Sequence, residues 1–119
     1  DGCSSVDVDL SGNIYITGYF EETVDLDPGP GIWEVQAHDN EDVFVSKFDS
    51  VGNLLMCKTW GGNSSDMGWG IRVDAIGNIY TTGWFDNMVD FDPGSGMYYI
   101  TTNGNDDVFL HMLPSDGIW

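Results

Sequence analysis

Two pairs of carboxylates, Asp25 with Asp27 and Asp90 with Asp92, stand two residues apart immediately before a Pro-Gly step. Each pair is followed by a polar stretch holding an Asn and an Asp, Asn40 and Asp42 in the first case, Asn105 and Asp107 in the second. Hard oxygen donors grouped in this way suit calcium. Asp25, Asp27, Asp42, Asp90, Asp92 and Asp107 are therefore the candidate Ca2+ ligands, and Ca2+ is the one cofactor the residues suggest. The same positions have a plainer use, because an Asp leading a Pro-Gly turn accepts backbone N–H groups. Asp7-x-Asp9-x-x-Gly12 also opens like part of a calcium loop, but its counterpart later in the chain is Arg72-x-Asp74, which argues against a shared site.

Catalytic groupings are missing. His38 and His111 are the only histidines, and neither stands at a recognisable spacing from a nucleophile. No Gly-x-Ser-x-Gly, His-Glu-x-x-His or phosphate-binding loop occurs. With 20 acidic residues in 119, some carboxylate pair falls at any chosen separation, so such a pair does not indicate glycoside hydrolysis. The expectation is a protein that is not an enzyme. Trp33, Trp60, Trp69, Trp84 and Trp119 could stack on sugar rings, though core packing is the simpler use of them.

The elements that must position these residues come in duplicate. Gly12–Gly31 (GNIYITGYFEETVDLDPGPG) returns at Gly77–Gly96 as GNIYTTGWFDNMVDFDPGSG. Aligning residues 1–54 with 66–119 makes 22 of the 54 pairs identical. The chain therefore reads as one repeat over 1–65 and a second, incomplete one over 66–119. Cys3 and Cys57 lie outside the shared pattern and are candidates for a disulfide, within the chain or between chains. Asn63-Ser64-Ser65 makes Asn63 a candidate glycosylation site.

The net charge of −17 sets up a field that repels phosphate backbones and anionic membranes, so nucleic acid is not an expected partner. No apolar run is long enough to cross a bilayer, and membrane insertion is not expected. No basic segment followed by an apolar one opens the chain, so any signal peptide is expected to have been removed.

Alternation at period two predicts strands at Ser5–Asp9 and Val43–Phe48, with counterparts at Gly70–Asp74 and Val108–Leu113; richness in β-branched and aromatic residues predicts them at Ile14–Phe20 and Ile79–Phe85, and Leu54–Trp60 makes a further strand. Val24–Asp27 with Ile32–Val35, and Val89–Asp92 with Met97–Ile100, predict small hairpins around the Asp-Pro-Gly turns. Gly61–Met67 reads as a loop. Gly18 and Gly83 interrupt equivalent strands, where a bulge or a close backbone approach is expected. Ile14–Phe20 is apolar on both faces, as in a sheet covered on both sides. Helical periodicity is lacking. The fold class is all-β, with the last strand of the second repeat missing.

Gly12-Asn13, Tyr15, Thr17-Gly18, Phe20, Val24–Gly29, Asp42–Phe44, Lys47–Asp49, Gly52-Asn53 and Trp60–Gly62 together resemble the bacterial β-propeller repeat family often called the seven-bladed propeller repeat, in its version with a VDFDPG turn. The second copy carries Gly77-Asn78, Tyr80, Thr82-Gly83, Phe85, Val89–Gly94 and Asp107–Phe109, and departs from the pattern at His111–Pro114. The resemblance implies β-propeller-type blades in an exported, extracellular or cell-surface bacterial protein.

A closed propeller takes roughly four to eight blades, and two repeats fall short. The function expected is thus a non-enzymatic structural or assembly module, completed by copies of itself or by further blades of a longer chain, as a ring or a filament. Its packing residues are Ile14, Tyr15, Tyr19, Phe20, Phe44 and Trp60 in the first repeat. In the second they are Ile79, Tyr80, Trp84, Phe85, Phe109 and Trp119. The alternative is a carbohydrate- or surface-polymer-binding module with glycans as partners and Ca2+ as an aid to binding.

Overall fold

The computed structural model describes residues 1–119 and contains strands without helices. The first repeat supplies β1 (Gly2–Val8), β2 (Ile14–Phe20), the short β3 (Thr23–Asp25) and β4 (Glu34–Gln36), then β5 (Asp42–Phe48) and β6 (Leu54–Gly62). The second supplies β7 (Met67–Val73), β8 (Ile79–Phe85), the short β9 (Met88–Asp90) and β10 (Tyr99–Thr101), and β11 (Asp107–Leu113). All pairings are antiparallel. β1, β2, β5 and β6 form a four-stranded sheet in chain order, and β7, β8 and β11 repeat its first three strands.

One signature turns the chain between strands three times. In Asp9–Asn13, Asp49–Asn53 and Asp74–Asn78 the Asp accepts the backbone N–H of the residue two positions on and that of the Asn. It also accepts the Asn side-chain amide; all these bonds span 2.7–3.1 Å. They hold the Asp9 and Asp49 carboxyls below the usual carboxylate range, the Asn side chain contributing most. The fourth instance, Pro114–Ile118, lacks both the Asp and the Asn.

The close backbone approach expected at Gly18 and Gly83 is present. β1 and β7 each bulge opposite these glycines, and a Cβ there would collide with the carbonyl oxygen of Gly2 or of Met67. The first strands are longer than their sequence periodicity suggests, beginning at Gly2 and Met67, because those N-terminal ends wrap past the bulge.

Eleven buried residues form the main core, and they come from both repeats: Tyr15, Val43, Val45 and Trp60 from the first, and Ile71, Ile79, Phe85, Val89, Phe91, Phe109 and Leu113 from the second. A smaller cluster, Phe20, Ala37 and Phe44, sits under the first repeat's own hairpin with Ile16, Val24, Leu26 and Val35. The large core is therefore the contact between two sheets packed face to face.

Candidate assembly interface

Each sheet has two faces, and the contact uses a different one from each. β2 and β5 contribute Tyr15, Thr17, Val43 and Val45, which share one side of the first sheet and are all 0–1% exposed. Against them lie Ile71, Ile79, Thr81, Phe85, Phe109, His111 and Leu113, which occupy the opposite side of the second sheet. The front of the first sheet thus meets the back of the second, a contact between unlike surfaces of a repeated unit.

Residues 65 apart then have opposite fates. Val43 is 0% exposed and Val108 is 85%; Val45 is 0% and Leu110 is 70%; on the other face Ile71 is 1% and Val6 is 55%. Tyr15 is enclosed where Tyr80 is open, and Val73 packs against the core where Val8 is open. The front of the second sheet is left bare, and so is the β1 side of the first sheet's back at Val6 and Val8, while the first repeat's own hairpin covers Phe20 and Phe44 on that face. Burying one such side chain is worth about 1.5–3 kcal/mol.

Aromatic rings set the outer part of the joint. Trp60 on β6 stacks on His111 at 4.3 Å and meets Phe109 edge-on at 6.1 Å. Trp119 also stacks on His111, at 5.1 Å. Burial makes His111 less basic than usual, and its Nε2 lies 3.0 Å from the Phe91 carbonyl oxygen, as a neutral ring donating there would. The inner part of the joint is polar: the Val73 N–H donates to Asp7 Oδ2 at 2.9 Å.

Two buried carboxylates flank the joint. Asp66 is fully buried and accepts the N–H groups of Gly62 at 2.8 Å and Asp86 at 3.1 Å. Desolvation pushes its pKa up to about 7, and the charge of Asp42 adds to the rise. Asp42, also buried, is raised by desolvation as well, although His38 bonds its Oδ2 at 2.6 Å. Its Oδ1 has no partner and rests on Gly61.

The hairpin β9–β10 crosses the joint. β9 pairs with the end of β6, Gly61 opposite Asp90 and Gly62 opposite Val89, so the second repeat's hairpin extends the first repeat's sheet to six strands. The sequence places Gly61–Met67 in a loop; instead Gly61 and Gly62 belong to β6 and Met67 opens β7. Two residues without side chains carry no periodic signal, yet they are what admits this pairing. A Cβ on Gly62 would strike the Met88 carbonyl oxygen, and one on Gly61 the Asp42 carboxylate.

Of the packing residues expected from sequence, Tyr15, Phe20, Phe44, Trp60, Ile79, Phe85 and Phe109 are buried, and Ile14, Tyr19 and Trp84 are half-buried. Tyr80 and Trp119 are exposed. Val43, Val45, Ile71, Val89 and Phe91 escaped that selection; their signal was the repeat register, which returns an apolar residue at each of these positions. The candidate calcium ligands each use one carboxylate oxygen in local hydrogen bonds. Asp25 Oδ1 accepts from Asp27 and Trp33, Asp90 Oδ1 from Asp92 and Tyr98, and Asp27 and Asp92 from Gly29 and Gly94. Asp107 accepts from Asn103. No three His, Cys, Asp or Glu side chains are gathered as a metal site.

An intrachain disulfide is ruled out by position. Cys3 is on β1 and Cys57 on β6, the two outer members of the four-stranded sheet. Three strand spacings of about 4.8 Å separate them, whereas a disulfide needs Cα atoms within about 7 Å. Both thiols are free, Cys3 exposed and Cys57 buried. Asn63 is exposed in the loop after β6. The chain matches no protein-family profile and no curated protein.

Proposed function

We propose that the protein is a non-enzymatic, exported structural module. Its repeats act as β-propeller-type blades that are completed by further blades packed front to back, in a ring or an extracellular filament. The observation that carries this reading is the opposite burial of Val43 and Val108, Val45 and Leu110, and Ile71 and Val6. The same unit is used twice, the joint between the copies is apolar, and each copy keeps one unsatisfied half of that joint. A contact of unlike surfaces propagates, closing into a ring or running on as a fibre according to the rotation at each step.

The bare front of the second sheet forms a shallow groove of about 650 Å3 beside Trp69, Trp84, Val108 and Leu110. Its lining favours another apolar sheet over a sugar, which would need more polar groups than Thr82 provides. β11 has an unpaired outer edge, and Trp119 folds against the His111 ring beside it. An incoming strand can take that edge. The −17 charge supports partners that are neither nucleic acid nor anionic membrane. Export rests on the resemblance of the repeat alone.

Sedimentation velocity over a wide concentration range tests the proposal. The expected result is a weight-average mass that climbs above 13.1 kDa as concentration rises. A mass fixed at 13.1 kDa throughout overturns it.

A further inference from the structure

We infer that β3 is a second docking element, a latch for the glycine-ended fourth strand of a preceding repeat unit. The inference deepens the assembly proposal and rests on it. β3 is the counterpart of β9: Val24 corresponds to Val89 and Asp25 to Asp90. The two hairpins have the same internal pairing, Val24 opposite Val35 as Val89 is opposite Ile100. They differ on the far edge. β9 is bonded there to Gly61 and Gly62, whereas β3 and β4 form an isolated two-stranded ribbon with the edge of β3 open. Burial follows: Val89 is fully enclosed and Phe91 nearly so, while Val24 and Leu26 are half-buried.

The internal joint dictates the occupant. Its strand must run antiparallel to β3, end the outer edge of a sheet, and finish in two residues without Cβ atoms, since a side chain at the second would strike the hairpin backbone. In a second copy of residues 1–119 that segment, Gly61–Gly62, is already held by its own β9. The partner is therefore a repeat unit with a complete fourth strand and a free Trp-Gly-Gly end. That unit engages the hairpin and the exposed β1 side of the first sheet's back, at Val6 and Val8, together, as the first repeat engages both β9–β10 and the back of the second sheet; a second copy of residues 1–119 offers the sheet contact alone, because its second sheet has three strands.

Hydrogen exchange tests this in two steps. In the whole chain, the amides of Met88–Asp90 are expected to exchange at least about tenfold more slowly than those of Thr23–Asp25. Gly62→Ala, or Gly62→Val if the smaller change is tolerated, should remove the difference. Next, a chain extended at its start by another copy of residues 1–65 should slow exchange at the original Thr23–Asp25 to the β9 level, unless the leading copy carries Gly62→Val. Paramagnetic relaxation of the original Val6 and Val8 methyls by a soluble probe separates the two claims. If those methyls become shielded while Thr23–Asp25 stay fast, the latch is refuted and sheet packing stands. If the methyls stay open and exchange stays fast, both are refuted.

Discussion

Val43 and Val108 hold the same place in the two repeats, on the same strand and the same face, yet Val43 is enclosed and Val108 is 85% exposed. The difference lies wholly in what stands opposite. Val43 has the second sheet against it, and Val108 has solvent. Val43→Ala is expected to destabilise the chain by about 2 kcal/mol, and Val108→Ala by under about 0.5 kcal/mol, in dilute solution. Urea unfolding of both variants checks this, and equal losses would contradict the inequivalence.

The β class, the repeat and nearly every strand were legible in the sequence, because Val43–Phe48 alternates at period two, Ile14–Phe20 is rich in β-branched and aromatic residues, and both recur 65 residues on. The bulges were legible in Gly18 and Gly83. The joint was legible as a need for cover, without its geometry. Which face of each sheet is covered cannot be read from a strand that is apolar on both sides, and Ile16 and Tyr15 look equally suited to burial. The pairing of β9 with β6 depends on the absence of side chains at Gly61 and Gly62, which resembles a loop in one dimension. The carboxylates at Asp25 and Asp90 fit a metal by composition; what composition does not show is that one oxygen of each accepts the hairpin N–H groups of Trp33 and Tyr98.

Asp66 makes the fold less stable as pH rises from mildly acidic to neutral. Its pKa is about 7 in the folded protein, against 3.8 for an Asp side chain free in water. The stability it contributes is complete below about pH 4 and is lost as pH rises through 7, a loss on the order of 4 kcal/mol. His111 works the other way, since burial lowers its pKa and stability falls as pH drops below its ordinary 6.5. Asp9 and Asp49 lose their contribution only at still lower pH. Comparing chemical denaturation at pH 5 and pH 8 in the native chain and in Asp66→Asn isolates the Asp66 part. The variant should lose most of the pH dependence over this interval, whatever its stability at pH 5; an unchanged slope counts against a raised Asp66.

Glu22 and Asn87 are equivalent residues that start the two hairpins with left-handed backbone, at φ of 57° and 59°. Asn tolerates that region better than Glu. Glu22→Asn is expected to raise stability by about 0.5–1 kcal/mol, seen as a higher melting temperature. A fall would mean that the Glu22 side chain has a stabilising role of its own.

The thiols should report their surroundings. Cys3 is exposed and should react rapidly with a disulfide reagent, while Cys57 is buried, its thiol pKa raised by desolvation, and should react only on unfolding. Mass spectrometry after alkylation should find both as thiols within one folded chain; a Cys3–Cys57 link would overturn the strand order.

Front-to-back packing is tested most directly by the native mass of a mixture. Val6→Glu spoils the back of the first sheet, and Leu110→Glu spoils the front of the second. Each variant alone keeps one half of the joint and should remain at 13.1 kDa. Mixed in equal amounts, they should form one-to-one pairs of twice that mass through the bare front of the Val6→Glu chain and the exposed Val6–Val8 surface of the Leu110→Glu chain. Homodimers of either variant alone, or a mixture that stays monomeric at concentrations where the native chain associates, would contradict the account.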